Sequence, residues 1–428
     1  MNSQPSVMLV AAKWWPLSAR LGAALHRLGC TVSALCPPKH PLTHVSGVHR
    51  IYQYGGIFSL ASVRRALHDC RPDIVIPCDD GVVAQLHALH TLDSSLRSLI
   101  ERSLGPPESY PVADSRYRFL RAATDLGLRV PRTQRVAAAE DLVTWHENVA
   151  PTAVLKVDGE TGGQGVRISR TLDDSLAAWR ELRSPPDYLS AWKRLAIDRD
   201  VLALWSRRQK SVREVTVQQF IPGRPANAML ACWGGKLLSM MSVVVVATEG
   251  PTGAATIVRV IENEDMRNAA ELIASRLKLT GFYGLDFILE SRTGVPYLIE
   301  MNPRCTQLGH IELPARGSLA GAFSSALRGE PRPRIQNPIG KETIALFPQA
   351  LAAGEACRPY IDASYHDLPS EDPHLMGELL LKSWPQRQWA ARLYHAFNPQ
   401  DRADPIVFED LDRFSNVHLR PRIEALAE

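Results

Sequence analysis

The sequence predicts a mixed α/β and α+β protein. It has an N-terminal parallel α/β domain, a second region containing antiparallel strands, and a C-terminal extension. Three observations predict this. Strand-like and helix-like segments alternate through the first hundred residues, the mark of a parallel sheet. Beyond residue 215, apolar runs of strand length follow one another across short turns, the mark of antiparallel pairs. The 428 residues give room for about three domains at about 150 residues each.

The elements follow in order. Val7-Met8-Leu9-Val10 is a first strand. Leu17, Leu21, Leu25 and Leu28 recur at helical spacing, and Gly29 ends that helix. A second strand covers 31–35. Ser59 is expected to cap a helix through Leu67. Asp73-Ile74-Val75-Ile76-Pro77 is a buried strand, followed by a helix over 82–92 that Asp80 is expected to cap. Gly105-Pro106-Pro107 marks a domain boundary, and a helix over 115–125 stops at Gly127. Residues 153–157 form a strand. Another strand follows, then a helix over 173–182 and a break at Ser184-Pro185-Pro186-Asp187. Residues 189–209 look like a helical insertion. A strand over 215–221 turns at Pro222-Gly223, and strands near 228–232 and 237–247 pair. A helix covers 265–277. Strands at 287–289 and 297–300 close a hairpin around Arg292-Thr293-Gly294. An amphipathic stretch lies at 375–381.

Charge and composition narrow the function classes. The net charge is 49 − 45 = +4, and no run of five basic residues occurs. No nucleic-acid footprint is therefore expected. No apolar stretch reaches the roughly 18 residues of a membrane span, and the polar N-terminus lacks the look of a signal peptide. The seven cysteines are scattered, without CxxC or zinc spacing. They are expected to be reduced thiols in a cytoplasmic protein. After the first strand, where a dinucleotide-binding turn needs glycines, stands Ala11-Ala12-Lys13-Trp14-Trp15-Pro16. NAD and FAD binding is not expected on that ground.

Four features fall in a fixed order. Lys156 ends a strand. A glycine-rich loop, Gly159-Glu160-Thr161-Gly162-Gly163-Gln164-Gly165, follows. Val217-Gln218-Gln219-Phe220-Ile221 is a third feature. The hairpin, with Asp286 on one strand and Glu300, Asn302 and Arg304 on or just after the other, is the fourth. Glycines let backbone N–H groups approach phosphate oxygens closely, and a lysine ammonium adds a compact positive charge. Carboxylates and an amide oxygen are hard ligands suited to Mg²⁺. Glu300 and Asn302 are two apart on an extended chain, so they share a face, and Asp286 on the paired strand can meet them. Arg304 can hold a phosphoryl group or oxyanion with its planar fork.

This order resembles the ATP-grasp superfamily of carboxylate–amine ligases, most of all the branch with the carbamoyl-phosphate-synthetase and biotin-carboxylase modules. Its strongest motif is Tyr297-Leu298-Ile299-Glu300-Met301-Asn302-Pro303-Arg304, after Gly281-Phe282-Tyr283-Gly284-Leu285-Asp286-Phe287. The resemblance implies a pre-ATP-grasp domain over 1–110 and an ATP-grasp domain over 111–335. Within the latter it implies a small lobe near 150–220 and a metal-bearing lobe near 221–335. Residues 336–428 are left without a role. It implies that Arg116 and Lys156 contact phosphates, that Gly162, Gly163, Gln164 and Gly165 cover the triphosphate, and that Gln219, Phe220 and Ile221 meet adenine. Asp286, Glu300 and Asn302 would hold Mg²⁺ or Mn²⁺. Arg304 and Lys156 would be catalytic. Two departures stand out. Arg224 and Pro225 replace the usual ribose-binding glutamate, leaving Asn227 as a substitute, and Cys305-Thr306-Gln307-Leu308-Gly309-His310 lacks the usual paired glycines.

The activity implied is ATP-dependent activation of a carboxylic acid as an acyl phosphate and its coupling to an amine. ADP and phosphate are released. The partners are then small-molecule carboxylates and amines, with no nucleic acid and no membrane, and a homo-oligomer stays open. A non-catalytic ATP-binding module and a carboxyphosphate-forming synthetase or carboxylase component are the alternatives.

Overall fold

A computed structural model describes residues 4–158, 165–184, 213–249, 253–313, 317–331, 342–352, 357–381 and 406–407. The insertion expected over 189–209 lies outside them. No described helix is long and apolar enough to cross a membrane. All seven cysteines are free thiols.

The N-terminal domain is a parallel four-stranded sheet in the order β3-β2-β1-β4. Its strands are β1 (Ser6–Val10), β2 (Thr31–Cys36), β3 (Val48–Gln53) and β4 (Ile74–Pro77). β3 escapes the sequence pattern because it is an edge strand without a buried residue. Helix α1 (Pro16–Arg27) starts on a proline, whose fixed φ suits the first turn. Helix α2 (Ser59–Cys70) begins at Ser59 itself, with Phe58 at the cap position and no side-chain cap bond. Ser59 is therefore not the cap that was expected. Helix α3 (Asp80–Leu92) is capped by Asp79, whose carboxylate accepts the Val82 N–H at 3.0 Å. Asp80 is its first helical residue, so the expected assignment of the cap moves by one position.

Helices α4 (Arg97–Leu104) and α5 (Tyr110–Ala113) lead to α6 (Arg116–Asp125), capped by Ser115. Phe119, Leu120 and Ala123 of α6 pack with Met266, Ile273 and Leu285 in the core of the larger lobe. The small lobe is a four-stranded antiparallel sheet, ordered β5-β8-β6-β7. It comprises β5 (Thr133–Val136), β6 (Ala153–Val157), β7 (Val166–Ser169) and β8 (Val215–Gln219), with α7 (Ala139–Asn148) and α8 (Leu172–Arg183). Trp145, Trp179, Leu155 and Val217 fill the space between sheet and helices. This sheet begins at Thr133, before the expected start near 150. β8 stops at Gln219, so Phe220 and Ile221 form a link rather than a strand end.

The large lobe carries an eight-stranded sheet, β13-β12-β9-β10-β11-β16-β17, with β18 paired to β10. Its strands are β9 (Gly223–Trp233), β10 (Lys236–Thr248), β11 (Ala255–Ile261), β12 (Gly281–Glu290), β13 (Pro296–Asn302), β16 (Thr343–Ala345), β17 (Tyr365–His366) and β18 (Ile406–Val407). The short pair β14 (Glu312–Leu313) and β15 (Gly317–Ser318) stands apart. Helices α9 (Glu264–Leu277), α10 (Leu319–Arg328) and α11 (Pro373–Leu380) pack beside it. A Cβ on Gly223 would meet the Leu289 carbonyl oxygen at 2.2 Å, so the first residue of β9 has to be glycine for β12 to lie against it. Gly294, at φ 70°, turns the β12–β13 hairpin.

The C-terminal extension is built into this body. β16 and β17 continue the large sheet beyond residue 335. Leu375 and Leu379 share one core with Leu9 and Leu25 of the N-terminal domain and Met241, Val243 and Phe323 of the large lobe. Asp372 caps α11 by accepting the Leu375 N–H at 3.1 Å, and also accepts from the Ser46 N–H at 2.8 Å. Arg20 of α1 donates to the Asp367 carboxylate at 2.7 Å and to its carbonyl at 2.6 Å.

His40 gives this fold a pH dependence. It is wholly buried; its Nδ1 accepts the Leu42 N–H at 3.1 Å, and its Nε2 lies 3.2 Å from the Lys13 carbonyl. Burial lowers its pKa from 6.5 to about 3. The unfolded chain therefore binds a proton below about pH 6.5 that the native chain refuses. Stability falls as pH drops through that window, at up to about 1.4 kcal/mol per pH unit from this group. The loss of melting temperature between pH 7 and 5 is expected to be smaller in His40→Gln than in the native chain. An equal loss contradicts this.

Candidate active site

The hairpin β12–β13 brings the acidic residues together. Asp286 and Glu300 are direct cross-strand partners, so their side chains project on one side. Asn302, two residues on, donates through Nδ2 to Asp286 Oδ2 at 3.0 Å. Asn227 of β9 donates to Asp286 Oδ1 at 2.6 Å. The two amides hold Asp286 from both sides. Asn227 is thereby committed to the carboxylate, which weighs against its expected role as a substitute ribose contact. Burial first, and the neighbouring Glu300 charge second, raise the pKa of Asp286 above the usual carboxylate range.

Arg116, at the start of α6, bridges the two lobes. Its Nη2 donates to Glu300 Oε1 at 2.5 Å, its Nη1 lies 3.3 Å from Asp158 Oδ1, and its backbone N–H donates to Asp158 Oδ2 at 3.2 Å. Its Nε is buried without a hydrogen-bond partner among the described residues. Lys156, on β6, is 5% exposed. Burial, and then the Arg116 charge, lower its pKa from 10.5 to about 8. Arg304 follows β13. Its Nε donates to Asp80 Oδ1 at 3.0 Å, while its terminal nitrogens make only long contacts, 3.4 Å to Asn302 Oδ1 and 3.5 Å to the Cys305 carbonyl.

The remaining expected residues divide. Gly162, Gly163 and Gln164 lie outside the described residues. Gly165 is described, and its carbonyl accepts the Val157 N–H at 3.0 Å. Gln219, Phe220 and Ile221 are half-buried and form the crossing from the small sheet to β9. Cys305 is no nucleophile, because burial raises its thiol pKa to about 12. Sequence reasoning missed Asp158 altogether and did not assign Asp80 to Arg304. Asp158 stands two residues after Lys156, just before the glycine-rich loop, and that placement was the available signal.

The donor set fits a divalent cation in one respect. Two opposed carboxylates and an amide oxygen are hard ligands, and like charges held together in a buried place are relieved by a cation. Among the described residues no group of three or more His, Cys, Asp or Glu is placed to hold a metal ion by itself. An incomplete protein shell suits Mg²⁺, which takes the rest of its shell from water and substrate phosphates.

Residues 199–307 match the family model of the ATP-grasp domain. Over 229 residues the chain is 24% identical to the carbamoyl phosphate synthase arginine-specific large chain of Geobacillus stearothermophilus. That match takes in 53% of this chain and 20% of the relative, so the chain spans about a fifth of that protein's length. Among solved structures, carboxyaminoimidazole ribonucleotide synthase from Aspergillus clavatus, complexed with ATP, aligns with a TM-score of 0.57. It is 15% identical and aligned over 78% of this chain and 79% of its own. N5-carboxyaminoimidazole ribonucleotide synthetase from Thermus thermophilus aligns at 0.55, with 18% identity over 77% and 79%. The biotin carboxylase domain of 2-oxoglutarate carboxylase from Hydrogenobacter thermophilus, solved with MgADP and bicarbonate, aligns at 0.54, with 12% identity over 78% and 71%. Residues 199–307 thus match the ATP-grasp domain, and the fold of the chain is similar to those of these synthetases and of the carboxylase domain.

Proposed function

We propose that the chain is an ATP- and Mg²⁺-dependent ligase that activates a carboxylic acid as an acyl phosphate and joins it to an amine. The observation that carries this reading is the convergence of Arg116 from α6 and Asp286, Glu300, Asn302 and Arg304 from one hairpin. Lys156 lies on the facing small lobe. Arg116 and Lys156 would neutralise the phosphates, and the charge on Lys156 strengthens when phosphates replace its present surroundings. Asp286, Glu300 and Asn302 would hold Mg²⁺, which when bound screens the phosphate charge. Gln219, Phe220 and Ile221 would line the adenine side.

In the first step an acid oxygen attacks the γ-phosphorus and the bond to the β-bridging oxygen breaks, so ADP leaves. In the second, the amine nitrogen attacks the acyl carbon, the carbon–nitrogen bond forms and phosphate departs. The amine proton passes to solvent. Arg304 would hold the transferred phosphoryl oxygens and then the oxyanion, so the protein acts by position and charge. A second reading takes bicarbonate as the acid, giving carboxyphosphate. The structural similarity to a carboxylase domain solved with bicarbonate favours it.

The test is ADP release from MgATP with a panel of bicarbonate, small carboxylic acids and amino acids, comparing the native chain with Glu300→Gln. One acid, with or without an amine, is expected to raise native turnover about 100-fold or more above the variant, the range of a lost electrostatic contact in the transition state. If MgATP binds tightly and no member of the panel raises release, the chain is a nucleotide-binding module instead.

A further inference from the structure

Arg304 is aimed from the N-terminal domain. Among the described residues, its one short contact is through Nε to Asp80 Oδ1, at 3.0 Å, across 224 positions of sequence. This leaves the two terminal nitrogens, with contacts no shorter than 3.4 Å, as the part of the fork free to engage an oxyanion. The side chains are 17% and 34% exposed, so the pair is partly shielded from solvent.

Asp80 is itself rigidly mounted. It is the first residue of α3, directly after Asp79. The Asp79 carboxylate accepts N–H groups from Ala12 at 2.6 Å, Lys13 at 3.3 Å and Val82 at 3.0 Å. Those bonds tie the end of β1 to the start of α3. Among the described residues, the only charged group within hydrogen-bond distance of Arg304 therefore rides on a fixed corner of the parallel sheet, at the carboxyl end of β4.

We propose that Asp80 is a positioning residue: it holds Arg304 by Nε so that the terminal fork is presented to the transferred phosphoryl group. The N-terminal domain then supplies part of the catalytic alignment. This inference rests on the ATP-dependent reading above.

The test measures MgADP affinity by calorimetry, with and without orthovanadate as the phosphoryl mimic, for the native chain, Asp80→Asn and Asp80→Glu. In the native chain vanadate is expected to tighten MgADP binding. Asp80→Asn should cut that gain about tenfold, the scale of one misaligned charge-assisted hydrogen bond, while MgADP alone stays within about twofold. Asp80→Glu, which keeps the charge, should recover part of the gain. Equal vanadate enhancement in Asp80→Asn overturns the proposal. So does an equal loss of MgADP affinity with and without vanadate, which marks a merely structural role. A native chain that binds MgADP but ignores vanadate also overturns it, whereas one that binds no MgADP overturns the ATP-dependent reading itself.

Discussion

Replacing Asp367 by alanine is expected to lower the unfolding free energy by about 3–5 kcal/mol, the range for removing one partner of a buried ion pair. Asp367 accepts from Arg20 Nη2 at 2.7 Å and lies 2.8 Å from His310 Nε2. All three side chains are less than a tenth exposed. Burial alone would raise the Asp367 pKa, but His310 and Arg20 outweigh it and hold it below the usual value. Its stabilising share is therefore present above that usual value and is lost as pH falls through the depressed one. Alanine leaves the Arg20 guanidinium buried without its carboxylate. Asp367→Asn keeps an acceptor for Arg20, so its loss should be smaller. Denaturant unfolding of both variants checks this. A loss below about 1 kcal/mol for alanine, the worth of an exposed pair, would mean that the C-terminal segment is not fastened to the body through this cluster.

Asp286→Asn is expected to act in opposite directions on stability and binding. The Asp286 carboxylate is crowded by burial and by Glu300, and its pKa is raised. The native state therefore holds a proton more readily than the unfolded chain, and stability falls as pH rises through that window. At neutral pH the ionised carboxylate is a cost that a neutral amide removes, less the one hydrogen bond lost where its NH₂ faces Asn227 or Asn302. Asp286→Asn should raise the melting temperature by about a degree, equivalent to about 1 kcal/mol for a chain of this length. On the proposed function the same change removes a hard anionic ligand and should weaken magnesium-dependent nucleotide binding by about 100-fold, the upper range for loss of a group that tunes a metal site. Functional sites commonly trade stability in this way. A variant that is both less stable and unchanged in nucleotide binding would remove Asp286 from the site.

The sequence made some of this legible for specific physical reasons. Glu300 and Asn302 could be put on one face because strand periodicity is two. Asp286 could be set opposite them because the Arg292-Thr293-Gly294 turn fixes the hairpin. Helix α1 declared itself by the spacing of Leu17, Leu21 and Leu25 and by Gly29 at its end, and α6 by Gly127 after it. Other features had no local signal. β3 is mostly exposed and β5 has only four residues, one of them buried, so no apolar alternation marks them. The bonds from Arg116 to Glu300 and from Arg304 to Asp80 join residues 184 and 224 positions apart, and only the packing of lobes and domains brings them together. The Asp79–Asp80 pair shows the same limit at short range. Either aspartate could have capped α3, and the choice fell to the one that also reaches the backbone of Ala12 and Lys13 on a different strand end.

Calorimetric titration of the native chain with ATP, in excess Mg²⁺ and again in EDTA, is the sharpest check on the magnesium–nucleotide site, with Asp286→Asn as the comparison. Tight binding that requires Mg²⁺ and weakens about 100-fold in the variant is the predicted result. Equal binding in EDTA, or equal binding in the variant, would contradict the assignment of Asp286, Glu300 and Asn302 to a magnesium–nucleotide site.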